Sequence, residues 1–198
     1  MSDARSALSV EGGFADSVFD AQGVFAKLLA ASSRPGTLVD LGPCCHPPAP
    51  LSVAAGALLL TIADGDTPVF FEECSDAVEA WLAFHTGARP GEADNAHFAV
   101  VSKIDREWLR RLRLGTLAYP DLSATVLVET DSLAKGDPFV LEGPGIENRL
   151  EVSIAGLPGD LVEFRTANRA LFPCGLDLIL TCGSALLALP RSTVVMEA

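Results

Sequence analysis

Cys44, Cys45 and His46 stand side by side, and thiolates with an imidazole are a donor set that zinc accepts. Three consecutive residues do not easily fill three corners of a tetrahedron, and no CxxC pair completes the set. Cys174, Cys182, His85 and His97 could join only through the fold. The pattern favours a loop with incidental thiols over a metal site. A Cys–His nucleophile is open on composition, but no cysteine is marked as activated, and Cys182 falls at an apolar strand end where an inert thiol is usual. Asp64-Gly65-Asp66 offers carboxylates to Mg²⁺ and reads more simply as an acidic turn between helix and strand. Gly143-Pro144-Gly145 has the small residues that let a backbone approach a phosphate. It lacks the GKS/T ending of a P-loop, and no GxGxxG occurs, so a β-turn is the simpler reading. The lysines are Lys27, Lys103 and Lys135, and none sits in an apolar strand–turn context suited to a pyridoxal phosphate Schiff base. Lys103, Arg106, Arg110, Arg111 and Arg113 form a basic run. It suits an acidic partner or a phosphorylated ligand, or, balanced by Asp105 and Glu107, a solvated helix face. His85 falls on the apolar face of its helix near the C-terminal end, where the helix dipole favours it and a partly buried structural histidine is the default.

The elements that must position these groups follow from periodicity and punctuation. Residues 1–13 read as a flexible lead-in, and residues 14–198 as a single domain. From Asp20 the spacing of Ala21, Phe25, Leu28 and Leu29 predicts a helix, which stops before Pro35-Gly36. Thr37–Leu41 alternates like a short strand, and four prolines make Gly42–Pro50 a loop. Ser52 is a plausible N-cap for a helix over Val53–Ala63 that is apolar on every side and should be buried. A strand is expected at Pro68–Phe71. Ser75 caps a helix with Val78, Trp81, Leu82 and His85 on one face, ended by Gly87. Phe98–Val101 is a strand, Arg106–Leu112 a basic helix, and Ala124–Glu129, Phe139–Glu142 and Arg149–Ile154 are strands. Asp160 with Glu163 resembles a capping box for a helix with Leu161, Phe164, Ala167 and Leu171 on one side. Leu176–Thr181 and Ala185–Leu189 form a hairpin around Cys182-Gly183-Ser184, and Thr193–Val195 extends the sheet. Interspersed helices and strands give one α/β domain with a mixed sheet and flanking helices.

Composition bounds the function. The 198-residue chain carries a formal charge of −12 and 49% hydrophobic residues, with 28 Leu and 28 Ala. A disordered chain lacks this much apolar material. The acidity argues against nonspecific contact with nucleic acid or anionic membrane. It is uneven: residues 1–99 have 4 basic and 13 acidic groups, residues 100–198 have 10 and 13. The less acidic second half is therefore the expected docking side. No export signal is visible, and the apolar run Val53–Ala63 is too short to span a bilayer. Five cysteines without framework spacing read as reduced thiols in a cytoplasmic protein.

Whole phrases carry a resemblance. Phe172-Pro173-Cys174-Gly175-Leu176-Asp177 runs through LILTCGSALLALP to Arg191-Ser192-Thr193. Phe14, Asp20-Ala21-Gln22, Phe25, Leu28-Leu29, Ser33-Arg34-Pro35-Gly36, Pro50-Leu51, Leu60–Asp64, Asp66–Val69, Phe84-His85-Thr86 and Gly143-Pro144-Gly145-Ile146 agree in order and spacing. The ordered set resembles the PhnH family, the H subunit of the bacterial carbon–phosphorus lyase system, over roughly residues 14–195. The resemblance implies an accessory subunit that works with the G, I and L subunits to form an α-D-ribose 1-alkylphosphonate 5-triphosphate from ATP and alkylphosphonate. It implies a homodimer that also joins a core complex with the G, I and J subunits. It implies a fold like the large domain of pyridoxal phosphate-dependent transferases without the cofactor, and it assigns no catalytic residue. Arg34, Arg191, His85 and Asp177 are the candidate phosphate- or partner-binding residues, with structural salt bridging the alternative for the arginines. Asp177 is costly inside a strand unless paired, which places it at the strand's mouth. The competing reading is an enzyme, or a homodimer that binds a phosphorylated metabolite in its cleft.

Overall fold

The computed structural model describes residues 11–157 and 160–198. Helix α1 (Ser17–Ser33) opens on Asp16, whose carboxylate accepts from the amides of Val18 and Phe19. It ends at Arg34, ahead of Pro35 and a left-handed Gly36 with φ +82°. The remaining elements are β1 (Leu38–Asp40), α2 (Val53–Ile62), β2 (Val69–Phe71), α3 (Asp76–Thr86), β3 (Phe98–Val101) and α4 (Trp108–Arg111). They continue through β4 (Thr125–Glu129), β5 (Ser132–Glu142), β6 (Leu150–Ala155), α5 (Leu161–Arg169), β7 (Asp177–Cys182), β8 (Ala185–Leu189) and β9 (Val194–Glu197). Ser52, Ser75 and Asp160 cap α2, α3 and α5 as expected, and Gly87 closes α3 in the left-handed region.

Strands β1-β8-β7-β4-β3-β2, in that order, form a mixed six-stranded sheet. β1, β2, β3, β4 and β7 run in one direction, and β8, between β1 and β7, is antiparallel to them. Alternating side chains send Val100, Leu127 and Ile179 toward α1, α2 and α3. Val101, Val126, Val128, Leu178 and Leu180 face the other way, toward α4, α5 and a second sheet. The period-two alternation of a strand thus builds two cores on one sheet, in a three-layer α/β arrangement.

Four expectations change. The strand near Thr193 does not extend the main sheet: β9 pairs with β5, and β6-β5-β9 is a separate antiparallel sheet. β5 begins at Ser132, not Phe139, with a register shift before Asp137 that polar sequence concealed. The basic helix shortens to the single turn of α4. The stripe on α1 is not all core: Phe25 and Leu29 are 48% and 54% exposed, while Val24 and Ala31 are buried. Periodicity reports an apolar stripe but not what covers it. Of the lead-in, residues 1–10 lie outside the described residues, and Gly12 accepts a hydrogen bond from the amide of His46. Among the described residues no helix is long and apolar enough to cross a membrane.

Candidate functional site

Asp177 is the first residue of β7, and Arg191 follows the last residues of β8. The hairpin register, Leu178 opposite Leu189, sets them face to face. The Arg191 amide donates to Asp177 Oδ1 at 2.6 Å, and Nε lies 3.2 Å from both carboxylate oxygens. Nη1 donates to the carbonyls of Pro120 (2.9 Å) and Pro173 (3.2 Å), and Nη2 to Ser123 Oγ and Asp177. Every guanidinium N–H therefore has a partner. Asp177 sits at the strand mouth and is paired, as its burial cost requires.

Helix α5 holds this hairpin end. Arg165, 2% exposed, donates to the carbonyls of Leu189, Pro190 and Thr193. Burial lowers its pKa to about 10, against the pull of Asp177. Arg169 reaches the Ser192 carbonyl at 3.2 Å. Asn168 is fully buried and brackets Leu176, donating to its carbonyl at 2.9 Å and accepting from its amide at 2.8 Å. Sequence reading missed Arg165 and Asn168, and with them the exposure of Leu171 at 38%. The signal was present: both lie four residues after a core residue, Leu161 or Phe164, on the stripe that faces inward.

The turn at Gly143-Pro144-Gly145 wedges between two loops. A Cβ on Gly143 would sit 3.1 Å from the Ser192 carbonyl oxygen. One on Gly145, at φ +84°, would lie 2.3 Å from that of Ser33, so glycine is required there. Arg34 is exposed beside this turn, in the wall of a cavity of about 310 Å³. No side-chain partner for it occurs among the described residues. A cavity of about 440 Å³ on the other side of the turn is bounded by Arg169, Phe172 and Ser192. Three of the phrases singled out from sequence, 33–36, 143–146 and both ends of 172–193, meet at this end of the molecule.

At the opposite end, where the parallel strands finish, Glu129 closes β4. Its Oε1 accepts from the Ser52 amide at the start of α2 (2.8 Å) and its Oε2 from Thr181 Oγ1 (2.9 Å). Burial raises its pKa, and these two donors hold the rise back. Glu72 accepts from the amide and hydroxyl of Ser102 and pairs with Lys103 at 3.5 Å. In open α/β sheets phosphates bind at such strand ends and helix N-termini. Here a carboxylate of the chain itself occupies the α2 N-terminus.

The other candidates lie apart. His85 packs edge-on to Trp81 and Phe84, at 5.3 and 5.0 Å between ring centroids. Its Nε2 is buried with no hydrogen-bond partner among the described residues. Cys45 donates to the Val53 carbonyl at 3.5 Å, and burial pushes its thiol to about 12, away from the thiolate that zinc requires. No group of three metal-ligating side chains occurs among the described residues. Within the basic run, Arg106 pairs with Glu163, Arg111 pairs with Glu107 and lies over the Phe70 and Trp108 rings, and Lys103 is held by Glu72. That is the pattern of a solvated, internally balanced face.

A sequence profile of the family described as bacterial phosphonate metabolism protein (PhnH) matches residues 12–196. The chain belongs to the PhnH family. It is 43% identical over 186 residues to the alpha-D-ribose 1-methylphosphonate 5-triphosphate synthase subunit PhnH of Rhizobium meliloti (strain 1021), which covers 92% of this chain and 93% of that one. It is 30% identical over 173 residues to HtxG of Stutzerimonas stutzeri, covering 87% and 84%. The PhnH match runs through both ends of the sheet. It takes in the Asp177–Arg191 pair, the 143–146 turn and the α1 surface alike.

Proposed function

We propose that this chain is an accessory, noncatalytic subunit of the carbon–phosphorus lyase system. It is needed with the G, I and L subunits to form α-D-ribose 1-alkylphosphonate 5-triphosphate from ATP and an alkylphosphonate, in the cytoplasm. It pairs with a second copy of itself and enters a core complex with the G, I and J subunits. Its fold is then that of the large domain of pyridoxal phosphate-dependent transferases, with no cofactor bound.

The observation that carries this reading is the apolar surface of α1, which lies in the more acidic first half and not in the half that the charge distribution favours for docking. Val18, Phe19, Phe25 and Leu29 are 71%, 71%, 48% and 54% exposed. Leu29 also lines a mostly apolar groove of about 440 Å³ between α1 and the sheet, walled by Leu28, Ile62, Phe98 and Ile179. Single exposed apolar side chains need no explanation, but four large ones along one helix favour an interaction surface. Permanent interfaces are the more apolar kind. The groups suited to chemistry are already occupied: Arg191 is fully engaged within the chain, and Glu129 fills the position where an α/β enzyme seats a phosphate.

Arg34 supports the second reading, a homodimer that binds a phosphorylated metabolite, because its guanidinium is exposed and unpaired among the described residues at a cavity wall. One reconstitution tests the accessory reading. The purified chain, alone and with G, I and L subunits, is given ATP and methylphosphonate, and product is followed by ³¹P NMR. Product only in the full set, lost when this chain is omitted, is expected. Turnover by the isolated chain overturns the accessory reading.

A further inference from the structure

The carboxyl ends of β3 and β4 enclose a cavity of about 90 Å³ between the starts of α2 and α3. Its walls are mostly apolar, Pro50, Leu51, Val78, Val100 and Val101, with Ser102 beside them. Glu129 is the half-buried polar group of the lining, and Glu73 stands exposed at the rim with no partner among the described residues. We propose that this cavity binds a primary ammonium group carried on a short aliphatic stem.

Size sets the first limit. Pockets for drug-sized ligands run roughly 300–1,000 Å³, so no nucleotide fits here. A cavity of about 150 Å³ takes benzene, so this one has room for about four heavy atoms, the outer part of one lysine-like chain. Charge sets the second. An ionised carboxylate has about four lone-pair sites, and Glu129 uses one on each oxygen, toward Ser52 and Thr181. Ser102, the other polar residue of the lining besides the two glutamates, already donates its amide and hydroxyl to Glu72, so the lining offers no free donor to the remaining sites. Phosphates and phosphonates are repelled by that charge, even though a helix N-terminus is otherwise where they bind. Lys103, the cation nearest in sequence to these strand ends, is held outside by Glu72. A stem that packs on Leu51, Val78 and Val101 while its head meets a carboxylate is how long cationic side chains behave at apolar surfaces.

The cation arrives either on a free alkylamine or as a lysine side chain of another protein. The test uses the full-length chain with ¹³C-labelled methyl groups, titrated with n-butylammonium, n-butanol, n-butyrate and the blocked tripeptide acetyl-Gly-Lys-Gly-amide at constant ionic strength. Saturable shifts confined to the methyls of Leu51, Val78, Val100 and Val101 are expected with the two amines and not with butanol or butyrate. Glu129→Gln should weaken binding about tenfold, with the remaining methyl spectrum unchanged as the check that it folds. Val78→Leu, which fills the cavity and keeps the carboxylate, should abolish binding. Tighter binding of the tripeptide assigns a protein lysine, and tighter binding of butylammonium assigns a free amine. Equal affinity for butanol, no saturable shift, or full affinity in both variants overturns the proposal. None of these outcomes depends on the phosphonate reading.

Discussion

Arg191 and Asp177 face each other across the open end of the β7–β8 hairpin, and the arginine ties its partner to two carbonyls and a hydroxyl from other segments. The contact joins the 120–123 turn, the segment before β7 and the segment after β8. Its side chains are 15% and 32% exposed, so solvent screens it only partly.

Arg191→Ala therefore strips the guanidinium from a half-buried carboxylate, which keeps the residue-191 amide as donor, and from the carbonyls of Pro120 and Pro173. Breaking a fully buried pair costs roughly 3–5 kcal/mol, and partial exposure scales this to about 2–3 kcal/mol. Asp177→Asn keeps part of the hydrogen bonding and should cost less. Urea midpoints with unchanged m-values check both, and equal stability of wild type and Arg191→Ala would refute the structural role.

Asn168 substitutes for a strand neighbour to Leu176, meeting both of its backbone groups. Asn168→Ala strands two buried polar groups, at a cost of about 2–4 kcal/mol. Asn168→Asp retains the acceptor and loses the donor. A thermal melt should rank wild type above both variants, and a melt unmoved by alanine would contradict the geometry.

Glu129 gives stability a pH dependence of known sign. Its pKa is raised by burial above the ordinary 4.5. The folded state therefore holds the proton more tightly than the unfolded state, and the associated stability is fully present below about the ordinary value. It is lost as pH rises through the folded pKa. The advantage of wild type over Glu129→Gln should shrink across that window. Chemical denaturation of both proteins over a pH series measures it, and an advantage that grows with pH would reverse the assignment.

Phe25 and Leu29 contribute little to the chain's own core. Phe25→Asp and Leu29→Asp should change its unfolding free energy by less than about 0.5 kcal/mol, while self-association or partner binding is lost. Sedimentation velocity with wild type and the double variant distinguishes the two effects. Destabilisation without any change in assembly would place this stripe in the core after all.

Much of this fold is legible in the linear sequence because its causes are local. Ser52, Ser75 and Asp160 cap helices through bonds to amides three residues away, and Gly87 and Pro35-Gly36 end helices by their own backbone limits. The β7–β8 hairpin follows from two apolar runs joined by Cys182-Gly183-Ser184. The polar strand β5 was hidden because half of its residues face solvent and show no strong alternation.

The sequence by itself determined the α/β class, the buried α2, the hairpin and, through its ordered phrases, the family. It also marked Asp177 as a residue that needs a partner, since a carboxylate in an apolar run is costly wherever the run folds. Only the tertiary structure decided which residue that partner is, and that Arg165 and Asn168 face inward to bond backbone. It also showed that Glu129 occupies a helix N-terminus 77 residues away in sequence. These contacts join segments far apart in the chain, so their energies depend on packing that no local pattern encodes. The same is true of α1: its apolar stripe is written in the sequence, but only the packed sheet and helices show that part of it is left uncovered.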